Sequence, residues 1–146
     1  MTGIASGTVQ KTKLETFYGP APRGSAVEVD YSSGVTVDGN VMRGSAYKSD
    51  VLSVFQSSFI RLTNNDIDVQ IDEPSAAPFT IGDALQGQAP GHDNYASGNI
   101  VHSTGGVPPG VFGSSGNTLF EKNCLTSGIQ AYDYNNNAFT GVTIRN

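Results

Sequence analysis

Phe139 to Asn146 reads FTGVTIRN, and its core is one copy of a repeat: apolar, x, apolar, x, x, Asn. Upstream copies are VTVDGN (Val35 to Asn40), IRLTNN (Ile60 to Asn65), NYASGN (Asn94 to Asn99) and TLFEKN (Thr118 to Asn123). The last copy, VTIRN, stops one residue short of its anchor. The anchors Asn40, Asn65, Asn99 and Asn123 are spaced 25, 34 and 24 residues apart. A period of this length marks stacked repeats. Two residues after each anchor stand Met42, Ile67, Val101 and Leu125. Three residues before the real or implied anchor stand Val37, Leu62, Ala96, Phe120 and Ile144. All of these are apolar, although only 37% of the chain is.

A parallel β-helix accounts for this pattern. Alternation around the Asn makes short strands with one face inward. Successive coils stack ~4.8 Å apart, so equivalent positions form columns. The two apolar sets then become interior columns. The Asn falls at a bend, where left-handed backbone angles are tolerated, and stacked Asn side chains can hydrogen-bond as a ladder. The competing reading is an ordinary β-sandwich with Asn-rich turns.

GVTVDGNVM, FIRLTNNDI and FTGVTIRN resemble the coils of right-handed parallel β-helix proteins, a family that includes pectate lyases and phage tailspikes. The resemblance covers Ser25 to Asn146 and implies a short right-handed solenoid of about five coils. It brings no catalytic motif with it.

At 146 residues the chain makes one domain. Charged residues are 14%, Gly numbers 18, and no segment shows helical periodicity with caps. The net charge of -5 and dispersed Lys and Arg argue against a nucleic-acid partner. Cys124 is the only cysteine, so no internal disulfide forms, and its ordinary role is a small buried or half-buried side chain. No apolar run reaches membrane-spanning length, and MTGIASGTVQKTKLETF lacks a signal-peptide core. The expected location is a virion, or the exterior after assembly or lysis.

Residues 1–24 lie outside the Asn repeat and are expected to cap the solenoid or to dock as an arm on other proteins of an assembly. Val27, Val29 and Tyr31 alternate as a strand. Residues 72–93, DEPSAAPFTIGDALQGQAPGHD, hold the extra length of the 34-residue interval and read as an insertion; FTIGDALQG suits a helical turn. No polar cap follows Ile144, so the open coil is expected to meet another chain. By resemblance to β-helix spikes, that assembly is a homotrimer.

Paired carboxylates are the first chemistry to test. Asp66 and Asp68 flank inward Ile67, so both point outward, spaced for a glycosidase pair or a Ca²⁺ site. No Arg or Lys stands beside them in matching register, Arg61 and Lys122 being the near neighbours. Asp38 stacks near Thr63 and Asn64. The insertion adds Asp72, Glu73, Asp83, His92 and Asp93, but adjacent residues on an extended chain point opposite ways, which separates His92 from Asp93. His102 faces outward, like Arg43 and Asp68. Tyr132, Tyr134 and Asn136, within YDYNNN, suit either sugar binding or a subunit interface. The sequence has no Gly-x-Ser-x-Gly, Cys-x-x-Cys, HExxH or P-loop, no EF-hand spacing and no GGxGxD calcium repeat, and no cofactor is expected. The leading expectation is a non-catalytic structural or attachment module, a virion decoration or spike element with glycan contact through Tyr132, Tyr134, Asn136, His92 and Asp93. The alternative is a polysaccharide-cleaving β-helix using Asp66 and Asp68.

Overall fold

The computed structural model describes residues 1–16, 25–46, 50–72, 74, 76–83, 91–106, 108–112, 117–132 and 141–145. Among these, sixteen short strands wind into three parallel sheets. The first coil holds β1 (Gly7–Gln10), β2 (Lys13–Thr16) and β3 (Val27–Asp30). The second holds β4 (Val35–Asp38), β5 (Val41–Ala46) and β6 (Leu52–Phe55). Next come β7 (Arg61–Thr63), β8 (Asp66–Ile71) and β9 (Phe79–Asp83), then β10 (Tyr95–Ser97), β11 (Ile100–Thr104) and β12 (Gly110–Phe112). The last are β13 (Thr118–Glu121), β14 (Cys124–Leu125), β15 (Gln130–Tyr132) and β16 (Val142–Arg145). Sheet one runs β1-β4-β7-β10-β13-β16, sheet two β2-β5-β8-β11-β14, and sheet three β3-β6-β9-β12-β15. The chain is an all-β parallel β-solenoid.

The two apolar columns form as the repeat requires. Val37 pairs with Leu62, Leu62 with Ala96, Ala96 with Phe120 and Phe120 with Ile144. Met42 pairs with Ile67, Ile67 with Val101 and Val101 with Leu125. Val37, Met42, Leu62, Ile67, Ala96, Val101 and Phe120 are buried, and Leu125 packs partly buried against them. Ile144, on the outermost described strand of sheet one, is 49% exposed. Sheet three adds Val29, Val54, Phe79 and Ile81. Phe79 stacks on Phe120, with ring centroids 5.4 Å apart and planes at 24°.

Asn40, Asn65 and Asn99 are fully buried and, with Asn123, build a ladder through the core. Each of the first three donates Nδ2 to the Oδ1 of the next anchor, at 3.0, 2.9 and 2.8 Å. That same Oδ1 accepts the backbone N–H of the anchor below, at 3.2, 3.0 and 3.0 Å. The same three Nδ2 groups also donate to the Val9, Val37 and Leu62 carbonyls, and Asn123 Nδ2 donates to the Ala96 carbonyl. The ladder thus satisfies backbone groups that a tight corner would otherwise leave buried and unbonded. The left-handed residue is not the anchor but its predecessor: Lys11, Gly39, Asn64, Gly98 and Lys122 all have φ between 51° and 67°.

The stack begins earlier than the Asn repeat shows. Val9 pairs with Val37 and Leu14 with Met42, so GTVQKTKLE is a coil in register with VTVDGNVMR. Thr12 stands where the anchor should be, and only its backbone N–H reaches Asn40 Oδ1, at 3.1 Å. Among the described residues of 1–24, Gly7–Gln10 and Lys13–Thr16 are therefore strands of the stack, and Thr2 bridges to Asp30. Within the insertion, Phe79–Asp83 is β9, a strand of sheet three rather than a helical turn, with a register shift where Val54 faces Ile81 and Phe55 faces Asp83. Tyr31 does not continue β3; it turns the corner at φ 47° with its ring exposed.

Buried serines hold the corner between sheets three and one. Ser32 N–H donates to Ser57 Oγ at 2.9 Å, and Ile4 N–H to Ser32 Oγ at 3.0 Å. One coil further, Gly91 lies so close that an added Cβ would sit 1.7 Å from the Ser57 carbonyl oxygen, which excludes any larger residue. Asn94 completes this corner, accepting from Ile60 N–H and donating to the Ser57 carbonyl.

Candidate functional site

The outer face of sheet two carries a column of charge. The register stacks Glu15 on Arg43, Arg43 on Asp68 and Asp68 on His102. Asp66 and Asp68 do point outward. Contrary to the sequence expectation, a cation stands beside them: Arg43 Nη2 bonds Asp66 Oδ2, and Arg43 Nε lies 3.9 Å from Asp68 Oδ2. Arg43 Nη1 also donates to the Met42 and Asp66 carbonyls, at 3.1 and 2.9 Å. The hydrogen bond to Asp66 raises the Arg43 pKa. His102 Nδ1 lies 2.9 Å from Asp68 Oδ1. Arg61 and Lys122 are elsewhere, on sheet one and at its corner. Ile100, at 54% exposure, and exposed Cys124 continue the Asp66 column, so Cys124 is a surface thiol rather than a buried filler.

Among the described residues, the outer face of sheet one carries two hydrogen-bonded carboxylate groups, at Asp38 and Glu121. Thr63 Oγ1 and Asn64 Nδ2 donate to Asp38 Oδ1 at 2.6 and 2.9 Å, and these bonds lower the Asp38 pKa. Two coils on, Tyr95 Oη donates to Glu121 Oε1 at 2.7 Å, and Arg145 Nε to Glu121 Oε2 at 2.9 Å. The Arg61 guanidinium covers the Tyr95 ring, 4.9 Å from its centroid. The Tyr95 hydroxyl first, and Arg145 second, hold the Glu121 carboxyl below its ordinary value. A carboxylate depressed on folding adds stability above its unfolded pKa, about 4.3, and loses it as pH falls through the folded value. The melting difference between wild type and Glu121→Gln is therefore expected to be present at neutral pH and to close on acidification below about pH 4.3. A difference that is flat with pH would contradict this assignment.

The third group lies on the corner between sheets three and one. Residues immediately before the sheet-one strand positions are left-handed: Gly34, Phe59, Asp93, Asn117 and Gly141, with φ of 64°, 58°, 55°, 55° and 74°. The register stacks these positions in successive coils. His92 Nδ1 lies 2.6 Å from Asp93 Oδ2, and Asn117 Nδ2 donates to Asp93 Oδ1 at 3.0 Å. The sequence reading separated His92 from Asp93 by assuming extended backbone. At φ 55° Asp93 turns its side chain back onto the ring. The His92 bond first, then the Asn117 bond, lowers the Asp93 pKa. The His92 ring meets Phe59 edge-on, at 5.3 Å and 82°.

Of the other sequence candidates, Tyr132 ends β15, and its side chain lies outside the described set, as do Tyr134 and Asn136 entirely. Asp72 accepts from Gln70 Nε2 at 3.0 Å on the surface. Glu73 and the Asp83 side chain lie outside the described residues. A hollow beside the last described coil is lined by Asn123, Leu125, Ser127, Gly128, Ile129 and Ile144, with no carboxylate or imidazole among them. Among the described residues no cluster of three or more His, Cys, Asp or Glu could hold a metal ion, and no helix is long and apolar enough to cross a membrane.

The described residues thus form a parallel β-solenoid with polar and charged side chains on its outer faces. No family model matches the chain, and neither the curated proteins nor the solved structures yield a match.

Proposed function

We propose that this chain is a non-catalytic structural or attachment module of a larger assembly, a virion decoration or spike element that makes glycan contacts from its flanks. The observation carrying this reading is how the sheet-two acids are used. A catalytic carboxylate pair must leave oxygens poised to exchange protons with a bound sugar. Here Asp66 is bonded to Arg43, and Asp68 lies against His102. Such an alternating column binds coil to coil across parallel strands. The partners in this reading are copies of the chain in a homotrimer and other proteins of the assembly, at a virion or extracellular location.

The polysaccharide-cleaving reading has one observation of its own: Arg43, Asp66, Asp68 and His102 converge on one face. A panel of acidic and neutral polysaccharides, assayed for reducing ends and unsaturated products, separates the two. No turnover above buffer is expected. Turnover lost in Asp66→Ala or Asp68→Ala would overturn the attachment reading. Light scattering at micromolar concentration tests the trimer, and a stable monomer would remove it.

A further inference from the structure

We propose that the corner between sheets three and one binds a neutral saccharide, its ring stacked on Phe59 and its hydroxyls bonded by His92, Asp93 and Asn117. The inference rests on the attachment reading and supplies its contact site.

The first support is Phe59 itself. Its corner position requires a left-handed backbone, which strains any residue with a Cβ. Other coils meet that demand with Gly34, Asp93, Asn117 and Gly141, residue types that tolerate it. A bulky aromatic ring fits this conformation poorly, and burial does not offset the strain: Phe59 is 54% exposed. At a different position of the same corner, three residues before Gly34 and in register with Gln56, Tyr31 is also left-handed and outward, with φ 47°, 56% exposure and an edge-on brace from Phe55 at 5.5 Å. Two aromatic side chains held outward in a disfavoured conformation are placed for contact rather than for the core.

The second support is the polar group stacked above Phe59. Phe59, Asp93 and Asn117 occupy one corner position in three successive coils, ~4.8 Å apart per step. An apolar face is thus followed by a carboxylate and an amide along one line of the corner. The His92 ring braces Phe59 edge-on, Asp93 holds His92, and Asn117 holds Asp93. The group is therefore ordered before any ligand arrives, which lowers the entropy cost of binding. An aromatic face beside fixed donors and acceptors matches a molecule with one C–H face and a rim of hydroxyls. Asp93 makes the site acidic in a chain of net charge -5, so neutral sugars fit and uronates are repelled. Tyr95, on the adjoining outer face of sheet one, is already engaged, covered by Arg61 and bonded to Glu121.

The test uses the whole chain and its Phe59→Gly variant. Glycine suits φ 58°, so this variant keeps or raises the melting temperature while removing the platform. Saturation-transfer NMR and titration with neutral hexose and N-acetylhexosamine oligosaccharides, with oligouronates as the comparison, give the readout. Expected are saturation transfer to ring C–H protons, weaker binding of uronates, and a Kd raised about tenfold in Phe59→Gly, the scale of one aromatic contact. Asn117→Ala is expected to weaken binding by a smaller factor. Binding unchanged in Phe59→Gly would overturn the corner site and leave the attachment reading standing. Absence of binding by every saccharide in the panel would also overturn the site, as would a change of oligomeric state in Phe59→Gly, which would make the corner a subunit contact. The attachment reading fails separately, through turnover in the cleavage assay.

Discussion

Asn65→Ala is expected to destabilise the fold by about 3–5 kcal/mol, as a drop in the urea midpoint at unchanged slope. Asn65 is fully buried, and its side chain makes four hydrogen bonds. Its Oδ1 accepts the Asn40 N–H and the Asn40 Nδ2, and its Nδ2 donates to Val37 O and Asn99 Oδ1. Truncation removes all four at once and strands polar groups where water does not reach. Each such buried group costs about 1–3 kcal/mol. Asn65→Asp is nearly isosteric but replaces the donor with an oxygen facing the Val37 carbonyl and Asn99 Oδ1. It is expected to be at least as damaging near neutral pH, because it also buries a charge. A loss below about 1 kcal/mol for Asn65→Ala would mean that the corners are held by something other than the ladder.

The second large effect is Phe120→Ala, with an expected loss of about 3–5 kcal/mol from removing a fully buried ring. Phe120 stands between Ala96 and Ile144 in its column and stacks on Phe79 across the core, so the cavity would open between sheets one and three. The small Ala96 beside it cannot close such a gap. The comparison is Ile144→Ala, the next position of the same column. Half exposed, Ile144 is expected to lose under about 1.5 kcal/mol. Equal losses at the two positions would contradict the burial gradient along the column.

The period was legible because a solenoid gives equivalent positions the same surroundings, so inward columns repeat in sequence as they do in space. Val37, Leu62, Ala96 and Phe120 could be placed by counting from Asn. The first coil was hidden because Thr12 replaces the anchor, and its neighbours Val9 and Leu14 carry the pattern without its most visible letter. β9 was hidden inside a Pro- and Gly-rich segment, although FTI retains the strand alternation. Side-chain chemistry was harder to read. Outward directions for Asp66, Asp68 and His102 follow from alternation, but the bond from Arg43 to Asp66 runs diagonally between columns. The His92–Asp93 contact depends on one left-handed φ, which neighbouring sequence does not announce. Phe59 could have been found from the repeat itself, since it stands at a position filled by Gly in GVTVDGN and in GVTIRN.

Every surface assigned here depends on the coil register, and two-dimensional NOE spectroscopy on isotope-labelled protein measures it. In-register parallel stacking predicts a run of contacts linking the side-chain amide protons of Asn40, Asn65 and Asn99 in order. It also predicts backbone amide-to-Hα contacts between Met42 and Ile67 and between Ile67 and Val101. Strong Hα–Hα contacts between paired strands, the mark of antiparallel pairing, together with side-chain amides that contact water instead of one another, would contradict it.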